Sequence, residues 1–411
     1  MAEVPLSQNR DFLTFWLGQG LSGLGDAFAA IAVPLLVLRA TGSLHRMGQL
    51  SAAVAVAHLT AGLFSGAVVD RVDRRRLMIA CDLGRAAVFG VVPLVWRLHG
   101  PSYPLLVAAS VVGALLGNTF QVAAITAVAR VVPRPQLIQA NGMMHGSYAA
   151  AFFVGPMLAG VVCDRLGPAA AIGVDAGSFL VSALSVAAVR RSFRAETPAA
   201  RGTALGDFVE GVRFLWAHPV LRATLLLLAT SSFILSGRDN LFIYHLERDL
   251  HRGDRDVGFV YALGSLGALT GAVLAPRLRG RWGFAACWLT AGLALGCAVA
   301  GLGHASTLPA LGALAAVVAG AESLRGINTV TLRQELTPDH LLGRVTAAFW
   351  AMLTFPAALG ADLNARLAER YGVAPVLTAA GAALVVLMAA GARSSIRHPV
   401  GASAVVSSRG P

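Results

Sequence analysis

Several ionisable residues stand inside long apolar stretches. Asp26 lies midway along the run 12–37, His58 within 47–69, Arg238 and Asp239 within 221–245, and Glu322 with Arg325 within 308–331. An acid or cation at the centre of a bilayer costs roughly 2.5–3.5 kcal/mol on insertion scales, so such a residue faces a polar cavity and is kept for a purpose. A carboxylate in that setting can take a proton from one side and release it to the other. Asp26 is the first candidate for that work. The alternative is that it only satisfies a neighbouring helix, since Gly18, Gly20, Gly23 and Gly25 permit close packing around it. Glu322 and Arg325 are one helical turn apart. They either neutralise each other or form a second coupling site in which Arg325 modulates Glu322. Arg238 and Asp239 read as a mouth or gate pair near the outer end of their stretch. His58 is a conceivable proton relay, although a histidine bonded to a backbone carbonyl is the commoner case. Asp175 and Asp362 are weaker candidates, and Asp82 with Arg85 reads as a structural pair on the cytoplasmic side.

Other chemistries find no support. No Ser/His/Asp set or metal cluster is evident, and the phosphate loop G-x-x-x-x-G-K-[ST] is absent from a chain with no lysine at all. Cys81, Cys163, Cys287 and Cys297 lack C-x-x-C spacing and read as small buried hydrophobes. Neither a cofactor nor an enzymatic activity is expected.

The elements that must carry these residues follow from composition. Only 13% of the 411 residues are charged and 56% are hydrophobic, with a mean hydropathy of +0.67. A soluble domain is about 25% charged and has far more polar surface with which to cover its core. The apolar residues therefore face lipid. Twelve stretches are long enough to span: 12–37, 47–69, 77–97, 104–129, 137–162, 167–189, 221–245, 257–276, 284–304, 308–331, 344–367 and 373–392. They must be helices, because lipid offers the backbone no hydrogen-bond partner. The first is too long for the core of a cleavable signal. The net charge of +12 is carried by arginines at the ends of apolar segments rather than on a soluble basic surface, which argues against nucleic-acid binding. Their bias, from Arg10 through the cluster Arg71, Arg74, Arg75 and Arg76 to Arg344 and Arg393, places both termini in the cytoplasm of a multi-pass protein of the inner (plasma) membrane.

The stretch around 190–220 divides the spans six and six. The expected organisation is an N-terminal half, 1–190; a cytoplasmic linker, 191–220; a C-terminal half, 221–393; and a disordered tail, 394–411. Within the linker, Phe208, Val212 and Leu215 recur at helical spacing among Asp207, Glu210 and Arg213, which predicts an amphipathic helix at the membrane surface. The halves are copies. Gly66-Ala-Val-Val-Asp70-Arg71-Val-Asp73-Arg74-Arg75-Arg76 parallels Gly271-Ala-Val-Leu-Ala275-Pro276-Arg277-Leu-Arg279-Gly280-Arg281, with the glycine and the arginines at 74 and 76 matched at one offset. Parallel six-helix repeats are a transporter architecture with the substrate site between the halves. The second copy has no acid in place of Asp70.

These residues carry a resemblance to the major facilitator superfamily that runs nearly end to end. Gly66, Asp70, Arg71, Arg74 and Arg75 look like its signature between the second and third helices, with Asp73 where the general pattern has glycine. Asn9-Arg10-Asp11-Phe12, Asp82-Leu83-Gly84-Arg85 and Leu332-Arg333-Gln334 with Gly343-Arg344-Val345 resemble the bacterial efflux branch of macrolide-efflux and enterobactin-exporter-like permeases. Gly155, Pro156 and Gly160 are similar to the helix-bending motif of antiporters. The fourth-span arginine typical of many drug/proton antiporters is missing; Asn118, Thr119 and Gln121 occupy that region. The resemblance implies an all-α major facilitator fold of twelve transmembrane helices. It makes Asp70 a gating carboxylate, the alternative being that Asp70 and its arginines only fix topology; Arg344, opening the eleventh span, is a candidate partner across the halves.

The expected function is secondary active export of an amphiphilic small molecule, whether drug, antibiotic or siderophore-like, by alternating access and proton antiport. The expected working form is a monomer in the lipid bilayer. An uptake symporter is the alternative, and a membrane-embedded enzyme a more distant one.

Overall fold

A computed structural model describes residues 6–133, 136–190, 204–338, 341–394 and 396. The described chain is helical throughout: α1 (Arg10–Thr41), α2 (Leu44–Arg71), α3 (Arg74–His99), α4 (Tyr103–Val131), α5 (Leu137–Leu166), α6 (Pro168–Ala188), α7 (Ala204–Ala217), α8 (Pro219–Leu235), α9 (Arg238–Tyr244), α10 (Asp254–Leu302), α11 (Leu308–Leu336), α12 (Leu342–Tyr371) and α13 (Val373–Gly391). Ten helical segments among the described residues are long and apolar enough to cross a membrane. One of them, the 49-residue α10, turns at Gly283 (φ 75°) and supplies two spans. With α2, 28 residues long, the expected twelve are complete. The seventh span is built from α8 and α9 and is broken at Gly237 (φ 75°). The predicted amphipathic helix is α7. The expected tail, 394–411, lies almost entirely outside the described residues, as does 191–203 of the linker.

The chain divides into two compact units. The first comprises residues 1–201 with 251–262, and the second residues 202–250 with 263–411. Helix α7 is grouped with the second unit. The first few turns of α10 belong to the first.

In the first unit α1 packs on α5 and α6, α3 on α4 and α6, and α2 on α4. Lipid tails are as apolar as leucine, so association within a bilayer rests on close van der Waals packing, which small residues permit. Gly18 meets Ser185, and Gly155 meets Ala27 so closely that a Cβ would stand 2.5 Å from that methyl. Phe12, Phe15, Met78, Phe120 and Val186 form a buried cluster at one end of the bundle. Asn9 fixes the start of α1: its side chain accepts from Phe12 N (3.1 Å) and donates to the Val131 carbonyl (3.1 Å).

In the second unit α12 packs on α7 and α8, and α13 on α8. The first part of α10 crosses α11 at Gly267 against Ala316 and at Gly271 against Gly320, backbone on backbone. The break in the seventh span leaves helix carbonyls without their usual partners. Asn364 of α12 answers them, its amide donating to the carbonyls of Phe233, Ile234 and Ser236 at 3.4, 3.0 and 2.9 Å. Gly360 one turn earlier lets α12 come that close, for a Cβ there would stand 2.1 Å from the Phe233 carbonyl oxygen.

Candidate functional site

Asp26 is ion-paired. The guanidinium of Arg85, from α3, donates to its Oδ1 at 2.6 Å. Arg85 also lies over the Phe179 ring of α6, 3.7 Å from its centroid, a cation–π contact strongest in a dry setting. The carboxylate of Asp26 is about a third exposed (32%) while Arg85 is mostly covered (13%). The acid is therefore reachable and the cation is held. Asp82, one turn before Arg85 on α3, is wholly buried beside Ser182. Asp175 of α6 is buried with its Oδ1 in the space that a Cβ on Gly25 would fill. Gly25 is thus required where the α6 carboxylate reaches the first helix. Tyr148 closes another side against Gly23, within electrostatic reach of Asp26 and Arg85.

Three helices consequently bring three carboxylates within electrostatic reach of one guanidinium, which bonds to that of Asp26. This corrects the reading of Asp82 with Arg85 as a separate structural pair: Arg85 reaches across to α1 instead, because its long side chain extends over Phe179 toward Asp26. Gly117 of α4 faces the Arg85 guanidinium, which lies about 3.5 Å from where its Cβ would be, an ordinary van der Waals contact. His58, exposed on α2, accepts through its carbonyl a hydrogen bond from the Asn118 amide (3.3 Å).

In the second unit Arg238 spans two acids, donating to Glu322 Oε1 at 2.6 Å and to Asp239 Oδ1 at 3.0 Å. Its own side chain is 12% exposed, whereas Glu322 is 43% exposed. Arg325 is buried elsewhere, stacked 4.3 Å above the Trp288 ring and donating to Ser231 Oγ at 3.3 Å. Of the two readings for Glu322 and Arg325, direct mutual pairing is displaced. The ion pair of Glu322 runs to another helix, although Arg325 stays within its electrostatic reach. Asp362 pairs one turn along its own helix with Arg366 (2.8 Å).

The side chains of Asp70 and Arg71 lie outside the described residues; their backbone, with that of Gly66, completes the end of α2. Asp73, the departure from the family pattern, is the N-cap of α3, accepting from Arg76 N at 3.0 Å. Arg75 donates to the Ala187 carbonyl and ties α3 to the end of α6. Arg74 opens α3. Arg344 forms an ion pair with Glu210 of α7, and Gly211 allows that helix to lie directly on the Arg344 backbone.

The helix-bending motif of α5 meets the start of α10. Gly160 abuts the Asp254 carbonyl and Gly258, and Gly258 abuts the Pro156 carbonyl. Nearby Arg39 grips both Asp254 oxygens at 2.6 Å, with that carboxylate only 3% exposed. Sequence alone did not single out Arg85, Glu210 or the Arg39–Asp254 pair as functional contacts, because each partner lies far away along the chain. No group of three metal-ligating side chains occurs among the described residues.

Paired six-helix repeats with charged residues inside the spans define a multi-pass membrane transporter. The Major Facilitator Superfamily profile matches residues 15–361, and the chain belongs to that family. It is 27% identical over 366 residues to the multidrug efflux pump Tap of Mycolicibacterium fortuitum, covering 86% of this chain and 88% of that one. Macrolide efflux protein A of Streptococcus pyogenes is 24% identical over 379 residues, covering 88% and 90%. The fold matches the crystal structure of a mutant of the nucleoside transporter NupG with a TM-score of 0.78 at 10% identity, covering 93% of this chain and 98% of that one. It matches a bacterial homologue of the iron transporter ferroportin at 0.72 and 18%, covering 95% and 100%. Membership in a transporter family sets the membrane-enzyme reading aside.

Proposed function

We propose that the protein exports an amphiphilic small molecule by alternating access in exchange for protons, and that Asp26 carries the proton. The observation behind this reading is the reachable Asp26 carboxylate paired with a held Arg85 among two further buried acids. Three carboxylates about one guanidinium leave surplus negative charge, which a proton lowers. Protonation of Asp26 frees Arg85 from α1 while Phe179 keeps it in place. The contact between α1 and α3 then has two arrangements that proton occupancy can bias, as coupling requires. Deprotonation restores the pair. Similarity to two named efflux proteins supports export over uptake, and the positive-inside arginine bias supports cytoplasmic termini. Gly66, Asp70, Arg71, Arg74 and Arg75 serve as the cytoplasmic gating loop in this reading. Arg344 is held in the present conformation by Glu210.

Inverted vesicles carrying the chain, energised inside-acid, are expected to accumulate a lipophilic dye. Asp26→Asn is expected to lower gradient-driven accumulation on the order of a hundredfold with unchanged membrane insertion. Wild-type gradient-driven accumulation only in right-side-out vesicles would reverse the direction. An unaffected Asp26→Asn variant removes that residue from the coupling step.

A further inference from the structure

A second concave surface lies away from all these charges. The two parts of α10 and the face of α11 between them enclose a groove of about 570 Å³, walled by Leu274, Leu278, Trp282, Thr290, Ala294 and Val317. Its floor is set where Gly271 meets Gly320 and Gly267 meets Ala316, backbone on backbone. The polar groups on its wall are already engaged: Thr290 donates to the Ala286 carbonyl at 2.7 Å, and Thr270 to the Leu266 carbonyl at 2.8 Å. What fills the groove must therefore be apolar.

One end differs in character. Trp282 is 51% exposed there, an amphipathic ring of the kind found at headgroup depth. With 3.6 residues per turn, Arg281 falls on the same stripe of α10 as Thr270 and Leu274, and Arg277 lies one turn before it. Both arginines are exposed. Arg279 between them is committed inward, to the Asn328 carbonyl and to Glu335. An apolar trough in a membrane-spanning region, with two outward cations and an interfacial indole at one end, has the form of a single amphiphile: hydrocarbon along the helices and an anion at the mouth.

We propose that this groove is a binding site for an anionic phospholipid, with an acyl chain laid between the two parts of α10 against α11 and its phosphate facing Arg277 and Arg281. It lies wholly within the second unit and is independent of the proton-coupling reading.

The full-length chain, reconstituted in phosphatidylcholine vesicles with a trace of phosphatidylglycerol bearing a photoreactive acyl chain, provides the test. After illumination, peptide mass spectrometry is expected to find adducts concentrated on 266–294 and 316–324. An equivalent photoreactive phosphatidylcholine is expected to label these segments less. Replacing both arginines, Arg277→Gln with Arg281→Gln, should reduce the phosphatidylglycerol preference on the order of tenfold. Filling the groove with Thr290→Phe and Ala294→Phe should remove adducts there and leave those on other helices unchanged. Adducts spread evenly over the lipid-facing helices of the wild-type chain overturn the proposal, as does equal labelling of the groove by the two lipids. The wild-type mapping decides the matter even if a variant fails to insert.

Discussion

The two units place charge inside the membrane in different ways. In the first, Arg85 pairs with Asp26, and the buried Asp82 and Asp175 lie within its electrostatic reach. In the second, Arg238 bridges Glu322 and Asp239, and Arg325 adds a further buried cation over Trp288. The first arrangement has more carboxylates than cations, the imbalance on which the proposed proton coupling rests. The second is balanced and more open, since Glu322 and Asp239 are 43% and 64% exposed. The two scaffolds of one kind thus differ in charge balance, and the proposed proton chemistry is assigned to the first.

The duplicated loop shows the same divergence. In the first copy the chain leaves helix at Val72, and Asp73 caps the next one. In the second the helix runs on through Arg279 and Arg281 and turns only at Gly283. At the matched offset Leu278 stands where Asp73 does and cannot cap a helix, so the turn moves to a residue that accepts positive φ.

The comparison is most exposed to failure at Arg85. Arg85→Leu leaves three acids without their cation and should destabilise the chain by about 2–3 kcal/mol, less than for a fully buried pair because Asp26 is partly exposed. Adding Asp26→Asn should recover part of that loss, as read by thermal unfolding in detergent. Simple additivity of the two changes would show that the pair is not a unit. Gly283→Val forces a branched residue to φ 75° and should cost about 1–2 kcal/mol in the same assay. Asp73→Ala removes a cap and should cost about 1 kcal/mol. The smallest expected effect is that of Glu322→Gln: below about 1 kcal/mol, because the pair is exposed on the acid side, with gradient-driven transport retained. If Glu322→Gln uncouples transport as Asp26→Asn is expected to, the assignment of proton chemistry to the first unit fails.

Much of this was open to reading along the chain. A carboxylate at residue 26 in a run of apolar residues and glycines announces itself. So do the twelve spans, since apolar length and helix necessity are local properties. The amphipathic α7 followed from the spacing of Phe208, Val212 and Leu215. Arg85 was visible only as part of a short motif and as a partner for Asp82, and its reach to Asp26 was not. That reach depends on α1 and α3 both packing against α6 and on Phe179 lying beneath the guanidinium. Glu322 and Arg325 look like natural partners at a one-turn spacing, yet Glu322 pairs with Arg238 on another helix, while Trp288 and Ser231 hold Arg325.

Hydropathy, helix length and repeat pattern are written in consecutive residues, so a twelve-span membrane transporter with ionisable groups inside it is legible along the chain. Which of those charges meet is settled by packing. An ion pair depends on helix rotation and on the clearance that a glycine such as Gly25 provides, and neither is a property of any one segment.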